Sequence, residues 1–183
     1  DDLLSLTIAD GKTLTVSGVG AYAVNDTTIS GAGVLKLTGA KTLTGDIIGG
    51  ASNTATLDID EDVTIAGEVG KTVALATGNV ITGKTLTLSS TDDAAITALT
   101  LAGSGTLAIT GAKTFTGDIV GAASNTATLD IDASTTIAGE VGQTVAIATG
   151  NVATGTTLTL SSTDAAAITA LTLAGSGTLA ITG

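Results

Sequence analysis

Residues 39–110 and 111–182 align without a gap at an offset of 72 and are identical at 61 of those 72 positions. Residues 1–38 continue the same register. Gly11-Lys12-Thr13-Leu14-Thr15 matches Gly83-Lys84-Thr85-Leu86-Thr87, and Gly31 and Gly33 match Gly103 and Gly105. The chain therefore reads as the last part of one unit (1–38) followed by two complete units (39–110 and 111–182). A unit repeated this faithfully either folds alone or buries its apolar face against the next copy, and the second route makes one continuous array.

Within each unit the hydrophobic signal has period 2, which sends alternate side chains to opposite faces of a strand. Leu107-Ala108-Ile109, Leu129-Asp130-Ile131, Val145-Ala146-Ile147, Leu158-Thr159-Leu160 and Leu171-Thr172-Leu173 all alternate in this way. Gly, Asn, Asp and Ser punctuate the gaps, and no Pro interrupts pairing. Ser90–Leu99 is the best candidate for a short helix, because Ser and Thr there could cap Asp92, Asp93 and the alanines. The pattern predicts an all-β, parallel β-solenoid (β-helix) of three or four coils per unit, each coil using roughly 18–24 residues and advancing about 4.8 Å. Tandem β-sandwiches are the alternative. Aromatic residues make up 1% of the chain, Tyr22 and Phe115 alone, and 72 residues with almost no aromatics make a marginal independent core.

Differences between the two complete units sort by environment. Glu61/Ala133, Asp62/Ser134, Lys71/Gln143, Lys84/Thr156 and Asp93/Ala165 exchange a charge for a neutral residue and are expected to face water. Leu43/Phe115, Ile48/Val120 and Leu75/Ile147 stay apolar and are expected in the core. Asn53/Asn125 and Asn79/Asn151 are expected at corners, where their side chains satisfy the backbone.

Around Gly103-Ser104-Gly105-Thr106-Leu107-Ala108-Ile109-Thr110-Gly111, followed by Thr114-Phe115-Thr116-Gly117, the sequence resembles the passenger repeats of bacterial autotransporters and related large surface adhesins. The resemblance covers about 25 residues per unit. It implies a right-handed parallel β-helix displayed outside a bacterial cell.

The chemistry on offer is narrow. With no His and no Cys, the commonest general bases and activated nucleophiles are missing, and disulfides are impossible. Enzyme activity is not expected. A net charge of −11, with 17 acidic residues against 6 Lys, opposes nucleic-acid binding. No apolar run is long enough to span a membrane as a helix.

Asp58, Asp60 and Asp62, and their counterparts Asp130 and Asp132, supply clustered oxygen ligands of the kind Ca²⁺ prefers, so a calcium site is the metal reading. No other cofactor is implied. Thr-x-Thr triplets beginning at Thr13, Thr42, Thr54, Thr85, Thr114, Thr126 and Thr157 raise an ice-binding reading, but their spacing is not constant.

The expected role is a structural repeat of an extracellular bacterial fibre, stalk or surface layer, with an adhesin module for a host or surface ligand as the alternative. The segment starts partway through a unit, and Gly183 is the residue that opens a unit. The expected partners are further repeats of the same chain or copies of it stacked head to tail.

Overall fold

Parallel pairing at a near-constant offset organises the molecule. In the computed structural model, which describes residues 5–52, 54–111, 113–124 and 126–183, each strand bonds to the strand one coil earlier and one coil later, always in parallel. The first coil shows the plan. Leu6–Ile8, Thr13–Val16 and Gly20–Tyr22 lie on three different faces, and each begins a column of strands running along the axis. Eight strands stack on the face begun by Gly20–Tyr22, so the chain makes about eight coils and a rod roughly 40 Å long. Among the described residues there is no helix, and none is long and apolar enough to cross a membrane.

The alternation read from the sequence sets which side faces inward. Leu107, Ile109, Leu129, Ile131 and Leu158 are fully buried, and Leu160 is nearly so. The lumen is filled by ladders of Leu, Ile and Val, with Phe115 the largest fully buried side chain. This is one continuous core rather than two sandwiches. The Ser90–Leu99 stretch contains no helix. Ala94–Leu101 is a strand that turns a corner, with its register shifting between Ala95 and Ala98.

The repeat and the coil do not have the same length. Counting the face begun by Thr13–Val16 as the first, that begun by Gly20–Tyr22 as the second and that begun by Leu6–Ile8 as the third, Leu37, Ile59, Val80 and Leu101 stack in register on the first. Their counterparts one unit later, Ile109, Ile131, Val152 and Leu173, also stack in register, but on the second face. The second-face column Leu43, Ile65, Leu88, Ile109 recurs as Phe115, Ile137, Leu160, Ile181 on the third. One unit is thus three coils plus one further face, and each unit is turned by a third of a revolution from the last. The triplet opening at Thr13, Thr85 and Thr157 lies on the first, second and third face in turn.

Two expectations are corrected here. Ile48 and Val120 point outward and are half-buried, because Ile47 and Ile119 occupy the inward positions of those strands. Asn79 and Asn151 are not corner residues. They sit within the strands Leu75–Val80 and Ile147–Val152, facing out. Asn53 and Asn125 lie outside the described residues.

Corners are tight because one coil's backbone rests on the next. A Cβ added to Gly117, whose φ is +122°, would lie 1.8 Å from the carbonyl oxygen of Ile96. Gly83, at φ +74°, has only the Ser104 hydroxyl within reach, at 3.9 Å. The two positions separate crowding from backbone strain. Gly83→Ala is expected to cost about 1–2 kcal/mol, the strain of a left-handed residue. Gly117→Ala should cost about 4 kcal/mol or more, since a neighbouring coil must move. Urea unfolding of the two variants measures the gap, and equal losses would mean that the corner has room to spare.

Candidate functional site

Polar chemistry in this chain is carried by acidic residues, and the structure gives most of them a partner one coil away. Asp58 faces out from the strand Thr56–Ile59, where it accepts a 2.7 Å hydrogen bond from Asn79 Nδ2 in the next coil. Asp60, just past that strand, pairs with Lys36 at 2.5 Å. Glu61 pairs with Lys84 at 2.8 Å. Asp62 accepts the Thr85 backbone N–H at 2.9 Å. Neighbours in sequence, these four groups reach four different partners and do not converge. Among the described residues no three acidic side chains gather in a way that could hold a metal ion. A calcium ion at this run would have to displace existing bonds.

The second unit repeats the run one face round. Asp130 stands opposite Asn151 in register and accepts its side-chain hydrogen bond. The place of Lys36 is taken by Ala108, and Asp132 is exposed. Burial pushes the Asp130 carboxyl up, the Asp132 charge adds to this, and the Asn151 hydrogen bond partly offsets it. Glu61 and Lys84 are replaced together by Ala133 and Thr156, so the ion pair disappears without stranding either charge. A partly exposed pair of this kind is worth about 1 kcal/mol or less, which such an exchange tolerates.

A second use of carboxylates was not anticipated from the sequence. At corner after corner, a side-chain oxygen accepts a backbone N–H from the following coil: Asp10 from Ala32, Asp46 from Glu68, Asp93 from Thr114 and Asp118 from Glu140, all at 2.8–2.9 Å. Where the first unit has Asp62, the second has Ser134, and its hydroxyl accepts from Thr157 at 3.1 Å. That substitution keeps the acceptor while dropping the charge, and it is the one sequence signal that could have exposed the pattern.

Lysine follows the same logic. Lys71 and Lys84 are exchanged between units, whereas the Lys41/Lys113 position is kept in both, and both of these lysines are buried. Lys41 Nζ donates to the carbonyls of Val16 and Gly18 at 2.6 and 2.8 Å and stands 5.5 Å from the centre of the Tyr22 ring. Lys113 Nζ donates to the Asp92 carbonyl at 3.2 Å. Burial lowers both ammonium pKa values. These lysines act as corner clamps.

Replacing Lys71 by Gln143 changes the local electrostatics. In the first unit Lys71 pairs with Asp46 at 2.6 Å. Burial alone would raise the Asp46 carboxyl, but the hydrogen bonds from Lys71 and the Glu68 N–H outweigh it and leave the pKa lowered. In the second unit burial, Asp164 and Asp118 all push Glu140 up, and its Oε2 is enclosed without a hydrogen-bond partner although the residue as a whole is half-exposed. Glu68 is likewise raised, by burial first, with the nearby Lys71 opposing.

Two outcomes are expected. Asp62→Ala should cost about 1 kcal/mol, the net value of one hydrogen bond, and Asp62→Ser should cost less because Ser134 already makes that bond. Thermal melts of the pair measure this, and an equal loss in both variants would show that charge rather than the hydrogen bond matters.

The second outcome is pH dependence. Glu68, Asp130 and Glu140 have folded pKa values above their ordinary 4.5, 3.8 and 4.5, so the folded chain takes up their protons more readily than the unfolded chain. Stability should therefore rise as pH falls from neutral through the range just above 4.5. Asp46 has the opposite sign. Its contribution is present above 3.8 and is lost as pH falls through its lowered folded value. A melting temperature measured against pH should pass through an acidic maximum, and a monotonic fall from neutral would contradict the assignment.

Comparison of the chain with protein-family models, curated proteins and solved structures returned no match.

Proposed function

We propose that this chain is a segment of a structural rod, part of an extracellular bacterial fibre, stalk or surface layer, and that it acts without catalysis. The observation that carries the reading is the third-turn rotation per unit. A binding module gains from stacking one site repeatedly on one face. Here each surface feature, such as the Asp58–Asn79 pair and its counterpart Asp130–Asn151, moves to the next face with each unit. Three successive units would carry such a feature to all three sides, which suits a spacer or packing element rather than a one-sided receptor.

The same rotation weighs against ice binding. Thr85, Thr106, Thr128 and Thr149 do form a four-residue outward column on the second face, but Ala170 ends it, and the adjacent column carries Asp130 and Asn151. A flat ranked-Thr plane does not extend along any one side. The acidic excess fits a soluble, mutually repelling exterior. The reading without catalysis is supported by the lack of His and Cys and by the engagement of Asp58, Asp60, Glu61 and Asp62 with neighbouring coils.

Antibodies raised against this chain should label filaments or a continuous layer outside the envelope of the cells that make it, as seen by immunogold electron microscopy. Labelling confined to the cell interior would sink the proposal. Saturable binding to one glycan or matrix protein, abolished by substitutions on one face of one unit, would favour the adhesin alternative.

A further inference from the structure

The corner at 138–146 lies between the strands Thr135–Ile137 and Ile147–Val152 and holds no strand of its own, only the isolated bridge of Val141 to Ile119. A segment held this way opens more readily than the ladders on either side of it. Glu140 stands near its start, with Asp118 on the coil before it and Asp164 on the coil after it. The Glu140 N–H is already given to Asp118 at 2.9 Å. Its Oε2 is the one enclosed side-chain atom among the described residues that has no hydrogen-bond partner. Lys113, the only lysine of residues 85–183, donates elsewhere, to the Asp92 carbonyl.

The copy one unit earlier is built differently. At the 66–74 corner Lys71 donates to Asp46 at 2.6 Å, and its charge opposes those of Asp46, Asp92 and Asp93 around Glu68. Gln143 stands in the place of Lys71 in the later copy, which has lost its cation but kept Asp118, Glu140 and Asp164. An ionised oxygen shut away from both water and donors is costly, whereas a protonated carboxyl can donate.

From this contrast we infer that the 138–146 corner is a proton-operated latch. It is shut while Glu140 carries a proton to offer to Asp118 or Asp164, and it loosens when Glu140 ionises and like charges on three successive coils repel. Burial, Asp164 and Asp118 all raise the Glu140 pKa above its ordinary 4.5. The latch is therefore fully shut below 4.5 and loosens as pH rises through the raised folded value. At the 66–74 corner the Lys71 ammonium supplies its hydrogen bond at either pH. The Lys71/Gln143 position thus sets how strongly a unit's corner responds to acid.

Hydrogen exchange of the 183-residue chain, read by mass spectrometry on peptic peptides and corrected for the intrinsic effect of pH, tests the latch. Peptides covering 138–146 should be several-fold more protected at about pH 5 than at about pH 7.5, and those covering 66–74 should change less. Glu140→Gln, whose amide donates as the protonated carboxyl does, should keep 138–146 protected at both pH values. Gln143→Lys should weaken the response of that corner, and Lys71→Gln should strengthen the response of 66–74. Equal protection of 138–146 at the two pH values, an equal response of the two corners in the unmodified chain, or a response that survives Glu140→Gln would overturn the inference.

Discussion

Stacking of coil upon coil is the constraint on which the rest of the structure depends. Strands that bond to a neighbour roughly 21 residues away leave the backbone no freedom to slip, because a one-residue shift would turn every inward Leu and Ile outward. The corners must then accommodate whatever is left over. Glycine is required where a carbonyl of the adjacent coil occupies the space of a side chain, as Ile96 does over Gly117. Elsewhere, amides that the ladder does not reach are met by side-chain oxygens and carbonyls by buried ammonium groups. The acidic composition is therefore partly a corner requirement and only partly a surface charge.

Although each unit turns onto the next face, its residues meet the counterparts of their copy's neighbours: Asp58 stands opposite Asn79 as Asp130 stands opposite Asn151. The substitutions that separate the units therefore act on equivalent contacts. Lys36 stands opposite Asp58 in register and pairs with Asp60, whereas Ala108 occupies the same place before Asp130 and Asp132. What persists is most of the part tied to the backbone: every glycine but Gly50, the inward aliphatic residues apart from Leu43 (Phe115) and Val63 (the buried Thr135), the side-chain oxygen at Asp62/Ser134 and the buried Lys41/Lys113. What drifts is the set of outward charge pairs, whose loss costs little in water. Fidelity of this kind preserves the rod rather than any one patch on it, consistent with the proposed spacer role.

Some of the candidate site was legible from the residues and some was not. Alternation placed Asp58 and Asp130 on the outer surface, where they lie. It gave no hint that Asn79 and Asn151 stand beside them one coil on, since 21 residues of chain separate Asp58 from Asn79. A different ambiguity governs Ile48 and Val120, whose apolar character predicts the core but which face out. They adjoin Ile47 and Ile119, and composition alone does not reveal which of two consecutive apolar residues takes the inward position.

By itself the sequence determined that this protein is an all-β array, because period-2 alternation, Gly-rich breaks and a 72-residue identity leave a stack of strands as the economical way to bury its aliphatic residues. Only the tertiary structure decided how the array is wound. Coil length is set by how many residues span three strands and three corners while every strand keeps its hydrogen-bonding register, and that sum does not have to divide the repeat evenly. The remainder of one face per unit is a property of closure in three dimensions. Coil length determines which carboxylate meets which amide and which lysine is buried, and the remainder determines which side of the rod carries them in each unit.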